Sequence, residues 1–231
     1  PNGVNLQKFQ ITKSKFQINS KFQISNVKTI ITTSRLVYKN GIDILIRAIA
    51  ELSLKPKAYK LKALILGIGS EEQNLKKLAK NLDLSNDVIF IGHIEPDKIP
   101  EYLSQADIFV RPSRSEGLGN SFLEAMAAGL PVIGTPVGGI PDFLKGGETG
   151  LFSKPDDYKD LAKQIDRLFT DEDLSRKLSE NGRRLVEKKY SWEGISVKMR
   201  NVFSGLLLSP KIKMLLGTGI YPPDIGGPAT Y

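Results

Sequence analysis

The sequence predicts an α/β domain of Rossmann-like type, a parallel sheet with helices on both faces. Three observations predict it. Short apolar runs of strand character alternate with segments of helical periodicity, the connections between them are short, and glycine-rich loops follow the runs at the strand ends where such sheets bind ligands. The length of 231 residues fits one large domain with flanking pieces, and 40% hydrophobic residues suffice for a sizeable core.

The elements follow in order. VKTIITTS, from Val27, reads as a buried strand, and residues 41–52 as a helix with Ile42, Leu45, Ile46, Ile49 and Leu52 on one face. LKALILG is the second strand, after which Ser70-x-x-Gln73 is expected to cap a helix reaching about Asp83. DVIFIG is the third strand, residues 96–105 a helix, and DIFVRP the fourth strand. Asn120 and Ser121 are N-cap residue types for a helix over residues 122–128 that stops at Gly129, with Pro131 beyond. PVIG and a GLF strand near Gly150 extend the sheet, and residues 156–208 read as helical.

The two ends read differently. Residues 1–27 are expected to form a linker in which KFQI recurs at Lys8, Lys15 and Lys21, a low-complexity insert without a helical face and dispensable for folding. Residues 209–231 read as a strand followed by a glycine/proline loop, and the start at Pro1 and the stop at Tyr231 as those of a fragment.

Composition narrows the function. The net charge of +8 is concentrated: seven of the 33 basic residues precede Asp43 with no acid among them, leaving 26 basic against 25 acidic residues. A near-neutral body argues against nucleic acid as partner and leaves the leader as a solvated basic tail or a weak contact to an anionic membrane. Cysteine is absent, so disulfides, thiolate metal sites and thiol nucleophiles are excluded, in keeping with the cytoplasm or the inner face of its membrane. No apolar run approaches the roughly 20 residues of a spanning helix.

Chemistry concentrates between residues 108 and 142, where FVRPSRSEGLGNSFLEAMAAGLPVIGTPVGGIPD runs on from the fourth strand. A helix start after a glycine-rich loop offers unpaired amides and a positive dipole end to an anion such as a phosphate. Gly117 and Gly119 allow the backbone close to that ligand. Glu116 and Glu124 flank the helix start with seven residues between them, and a carboxylate accepts two hydrogen bonds from vicinal sugar hydroxyls. Other readings stand beside these: Ser121-x-x-Glu124 is also a capping box, and Glu116 is equally a solvated loop acid. Arg35 and Lys39 place two cations in the loop after the first strand, suited to a diphosphate or simply solvated. Gly67-Ile68-Gly69 follows the second strand, but Glu72 stands where a dinucleotide fingerprint has its third glycine, so a nicotinamide oxidoreductase is poorly supported. Asp171-x-Asp173 resembles a metal motif yet opens an expected helix, where acids complement the dipole.

The Glu-x7-Glu pattern with the following AMAAG-PV and VGG-PD resembles the donor site of the retaining GT-B glycosyltransferases of the family 4, group 1 type, and the similarity runs from about residue 27 to residue 204. The resemblance implies one half of a GT-B fold, the C-terminal donor-binding domain, over residues 28–208. It implies a nucleotide-diphosphate sugar as donor substrate, a saccharide or lipid-linked acceptor, retention at the anomeric carbon, no metal and no cofactor. By the same resemblance Glu116 contacts the transferred sugar, Glu124 holds the ribose hydroxyls, and backbone groups from Leu118 through Gly119 and Asn120 to Ser121 meet sugar and diphosphate. Arg35 matches a family arginine that neutralises the leaving diphosphate. The family lysine falls at Asn40, so Lys39 either swings in or one phosphate contact is missing. Gly67 and Gly69 belong with the donor-binding loops, Ile94 supplies backbone contacts near the nucleobase, and the neighbouring His93 is structural. PNGVN resembles the family's interdomain connection, and residues 211–231 the start of its acceptor-binding domain, with Gly226 and Gly227 in the loop that approaches donor phosphates and acceptor. The rest of that domain would be supplied by another chain. A module that binds nucleotide sugar without turnover is the alternative.

Overall fold

The computed structural model describes residues 2–9, 27–54, 56 and 58–207. By internal contacts the chain divides into Pro1–Ile195 and Ser196–Tyr231. The KFQI copies from Lys15 and Lys21, and everything from residue 208 onward including Gly226 and Gly227, lie outside the described residues.

Six strands form one wholly parallel sheet: β1 (Val27–Thr33), β2 (Lys60–Leu66), β3 (Val88–Gly92), β4 (Ile108–Val110), β5 (Val132–Gly134) and β6 (Leu151–Phe152), in the order β3-β2-β1-β4-β5-β6. The chain builds outward from β1 to β3, then returns to the other side of β1 with β4. Loops leaving β1 and β4 therefore diverge, which opens a crevice at their carboxyl ends.

Alternation along β1 assigns the faces. Ile30 packs with α1 (Ile42–Ser53), α2 (Glu72–Asn81) and α6 (Tyr158–Thr170) through Leu45, Ile49, Ala79 and Ile165. Ile31 points the other way, into a core with Phe122 and Met126 of α4 (Asn120–Ala127) and Phe143 of α5 (Ile140–Phe143). α7 (Glu172–Lys189) reaches both cores through Leu178 and Val186. Burial on both faces explains why the strands read as continuous apolar runs.

Several local expectations change. α2 begins at Glu72 with no side-chain cap, so Ser70 is not its N-cap; the Glu71 amide donates instead to the Leu36 carbonyl at 2.9 Å. The helix expected over 96–105 is a 3-10 turn followed by α3 (Ile99–Leu103). The helical tail is broken where Asp157 and Asp171 each accept an amide hydrogen at 2.9 Å, capping α6 and α7, and it ends with α8 (Trp192–Leu207). The Asp171-x-Asp173 pair is thus the start of α7, with Asp173 ion-paired to Arg176.

The leader is the larger correction. Val4 donates to the Tyr190 carbonyl at 2.7 Å and accepts from the Trp192 amide at 3.2 Å, forming a parallel bridge with Ser191. Val4 and Phe9 are buried, 3% and 8% exposed, in the core beneath α4. Residues 2–9 are therefore packed as part of the domain and are not a free linker. Periodicity gave no warning, because an irregular segment anchored by two apolar side chains has no repeat to read.

Candidate functional site

The crevice is built from backbone first. The β1–α1 loop is pinned by the Ser34 amide on Leu66 O (3.0 Å), the Leu36 amide on Ile68 O (2.9 Å) and the Arg114 amide on Lys39 O (2.7 Å). Gly67 and Gly69 lie so close to it that a Cβ on either would overlap the carbonyl oxygens of Ser34 and Leu36. These two glycines serve the packing of loop on loop. Arg35 and Lys39 are both exposed on this loop, while Asn40 is buried and donates its Nδ2 to Arg35 O at 2.7 Å. Asn40 thus fixes the backbone of the loop that carries Arg35.

The β4–α4 loop holds the acids. Glu116 accepts from its neighbour, the Gly117 amide, at 3.0 Å through Oε1, and its Oε2 is ion-paired with Arg111. The Gly139 amide donates to Gly117 O at 2.8 Å, so the VGG turn is stitched to this loop. α4 begins at Asn120, and its N-cap is Gly119 in the left-handed region, with no side-chain cap. Asn120 and Ser121 are therefore not caps, and the Ser121–Glu124 capping box does not form. Ser121 Oγ instead accepts from Arg111 Nη1 at 2.6 Å, and the buried Asn120 Oδ1 has no partner among the described residues. Leu118, half-buried, packs on the α4-side core.

Burial raises the Glu124 carboxyl from its ordinary 4.5 to about 7, opposed only in part by the charge of Arg111. Between those values the folded state keeps a proton that the unfolded chain gives up. Stability therefore falls as pH rises from about 4.5 to about 7 and then levels off. Glu124→Gln removes that penalty, which at pH 8 is of order 1–3 kcal/mol. Its melting temperature should exceed that of the parent by several degrees at pH 8 and match it at pH 4.5; equal gains at both values in a calorimetric scan would contradict the assignment.

Two arginines in this region had no assigned role in the sequence. Arg111, 8% exposed, sits at the end of β4 with its guanidinium over the Phe122 ring. Arg114 grips Asp43 with two bonds of 2.8 Å, Asp156 at 2.6 Å and the Tyr38 carbonyl at 2.7 Å, and lies 4.0 Å from the centre of the Tyr38 ring. Asp43 foremost, then Asp156, holds its proton more tightly than usual. An arginine closing an apolar strand, as in FVRP, was the available signal for Arg111. On the far side of the crevice His93 is exposed, its Nε2 3.3 Å from Glu95 Oε1, and Ile94 is half-buried against the core.

A parallel sheet whose switch point meets an uncapped helix start between two acids defines a Rossmann-like α/β domain. Residues 14–185 match the family model for glycosyl transferases group 1, and the chain belongs to that family. It is 32% identical over 206 residues to an uncharacterised glycosyltransferase of Methanocaldococcus jannaschii, covering 87% of this chain and 52% of that protein. It is 29% identical over 213 residues to a GDP-mannose-dependent alpha-(1-6)-phosphatidylinositol monomannoside mannosyltransferase of Mycobacterium tuberculosis, covering 89% and 55%. The chain thus spans about half the length of the curated relatives it matches. Among solved structures, the C-terminal domain of a glycosyl transferase group 1 family protein from Francisella tularensis superposes with a TM-score of 0.69 at 28% identity, covering 82% of this chain and all of that one. Among the described residues no helix is long and apolar enough to cross a membrane.

Proposed function

We infer that this chain is the donor-binding half of a glycosyltransferase that takes a nucleotide-diphosphate sugar and transfers the sugar, with retention, to a saccharide or lipid-linked acceptor. The observation that carries the reading is the start of α4. Its amides are uncapped by any side chain, Asn120 Oδ1 beside them is buried without a partner among the described residues, and Glu116 and Glu124 stand on either side. The dipole and amides suit a diphosphate, and the acids suit the hydroxyls at its two ends. In this reading Glu124 takes the ribose and Glu116 the sugar. Arg35, with Lys39 beside it, neutralises the charge that gathers on the leaving diphosphate, so the protein's own cations do the work that a metal does elsewhere. The dependence on GDP-mannose named for the mycobacterial relative supports a nucleotide-sugar donor here. The acceptor-binding half, including the loop of Gly226 and Gly227, completes the cleft, within the whole protein or from another chain.

Titration calorimetry with UDP, GDP and their sugars tests the reading. Glu124→Ala should weaken nucleotide binding roughly 10- to 100-fold, the worth of charge-assisted hydrogen bonds. Arg35→Ala should weaken diphosphate binding by more than Lys39→Ala does, since Asn40 anchors the backbone at Arg35 itself. Nucleotide affinity unchanged in Glu124→Ala would remove the ribose role.

A further inference from the structure

The inference concerns Arg111 and rests on the donor-site reading. Every nitrogen of its guanidinium has its own partner: Nε donates to Ser113 Oγ at 3.2 Å, Nη1 to Ser121 Oγ at 2.6 Å, and Nη2 pairs with Glu116 Oε2. Arg111 is 8% exposed, and the side chain of Glu116 only 12%. Burying such a pair costs several kcal/mol per ion before the attraction and the extra hydrogen bonds offset it. An apolar side chain of similar length would fill the space over Phe122 without that cost. The guanidinium therefore does something that packing alone does not require.

What it does follows from which elements it joins. Ser113 and Glu116 belong to the loop leaving β4, and Ser121 to the first turn of α4. The loop and the helix start are separated by Gly117 and Gly119, the second in the left-handed region, so the backbone alone does not hold one against the other. Among the described residues, the only hydrogen bond fixing the Glu116 carboxylate apart from Arg111 comes from the adjacent Gly117 amide. We propose that Arg111 is the positioning residue of the donor site: from the end of β4 it fixes the Glu116 carboxylate relative to the start of α4, and so sets where the sugar of a bound donor sits relative to its diphosphate. Glu116 touches the sugar; Arg111 acts through Glu116. A fixed carboxylate binds a hydroxyl without first losing its own freedom, which is how preorganisation strengthens binding.

The test compares each nucleotide sugar with its own nucleotide, because a positioning role moves the difference and a purely structural role moves both. UDP, UDP-glucose, GDP and GDP-mannose are titrated by calorimetry into the parent chain, Arg111→Lys and Arg111→Met, with melting temperatures measured alongside. The parent should bind at least one nucleotide and distinguish it from its sugar. In Arg111→Met that sugar increment should shrink roughly tenfold, as for a lost charge-assisted contact, while nucleotide affinity stays within about threefold. Arg111→Lys keeps the charge against Glu116 but lacks the fork that also holds Ser121, and should retain part of the increment, with a loss of roughly threefold. A full increment in Arg111→Met overturns the proposal, as does an equal loss for nucleotide and nucleotide sugar. If Arg111→Met does not fold, Arg111→Lys decides alone, and an increment equal to the parent's overturns the proposal. Failure of the parent chain to bind any of the four ligands would instead remove the donor-site reading beneath it.

Discussion

Deleting residues 1–24 should lower the melting temperature by roughly 6–24 °C. Val4 and Phe9 are buried against the α4-side core, and burial of each is worth about 1.5–3 kcal/mol. The two backbone bonds joining Val4 to Tyr190 and Trp192 add about 0.5–1.5 kcal/mol apiece. Ordering the segment offsets part of this, leaving roughly 3–6 kcal/mol, and a domain of this size shifts by about 2–4 °C per kcal/mol. The exposed Lys8–Asp97 pair contributes little to the total. Differential scanning calorimetry of the deletion beside Val4→Ala and Phe9→Ala in the whole chain checks the account, with the two point variants together reproducing most of the loss. A deletion that melts with the parent would show that the anchor is not energetically coupled to the domain.

Gly138→Ala should cost roughly 3 kcal/mol or more and weaken nucleotide-sugar binding at least tenfold. Gly138 has φ +54°, which a residue with a Cβ adopts at a cost of about 1–2 kcal/mol, and that Cβ would overlap the carbonyl oxygen of Glu116. A backbone oxygen cannot rotate away, so the VGG turn and the Glu116 loop must separate, breaking the bond from Gly139 N to Gly117 O. Gly147→Ala is the control. Its φ is +78°, yet nothing lies within 4 Å of a Cβ there, so only the conformational cost applies and donor binding is untouched. Chemical denaturation and calorimetry on both variants separate strain from overlap; equal losses of stability in the two would mean that the loops are not held apart by glycine.

The sheet was legible because its signal is local. Strands buried on both faces read as apolar runs whatever surrounds them, and VKTIITTS, LKALILG and DVIFIG each fall within a residue of β1, β2 and β3. The grouping of the candidate residues was legible for a related reason, since Glu116, Gly119, Asn120 and Glu124 sit within one loop and one helix. What the sequence concealed is pairing across the chain. Arg114 meets Asp43 and Asp156 from 71 and 42 residues away, and no periodicity records such a meeting. The capping assignment failed by competition: Asn120 and Ser121 have good capping side chains, but Gly119 takes the cap position and Arg111 takes the Ser121 hydroxyl. Glu124 was open to two readings because its spacing suits both a cap and a ligand, and the capping box is absent because Gly119 holds the N-cap position.

The grip of Arg114 has a consequence for how the cleft breathes. Three loops, those after β1, β4 and β6, meet at one guanidinium that faces Tyr38, Asp43 and Asp156 together. None of them can lift alone without separating that group from the Tyr38 carbonyl or from the Asp156 carboxylate. The three are therefore tied mechanically, and displacing one strains the contacts of the other two.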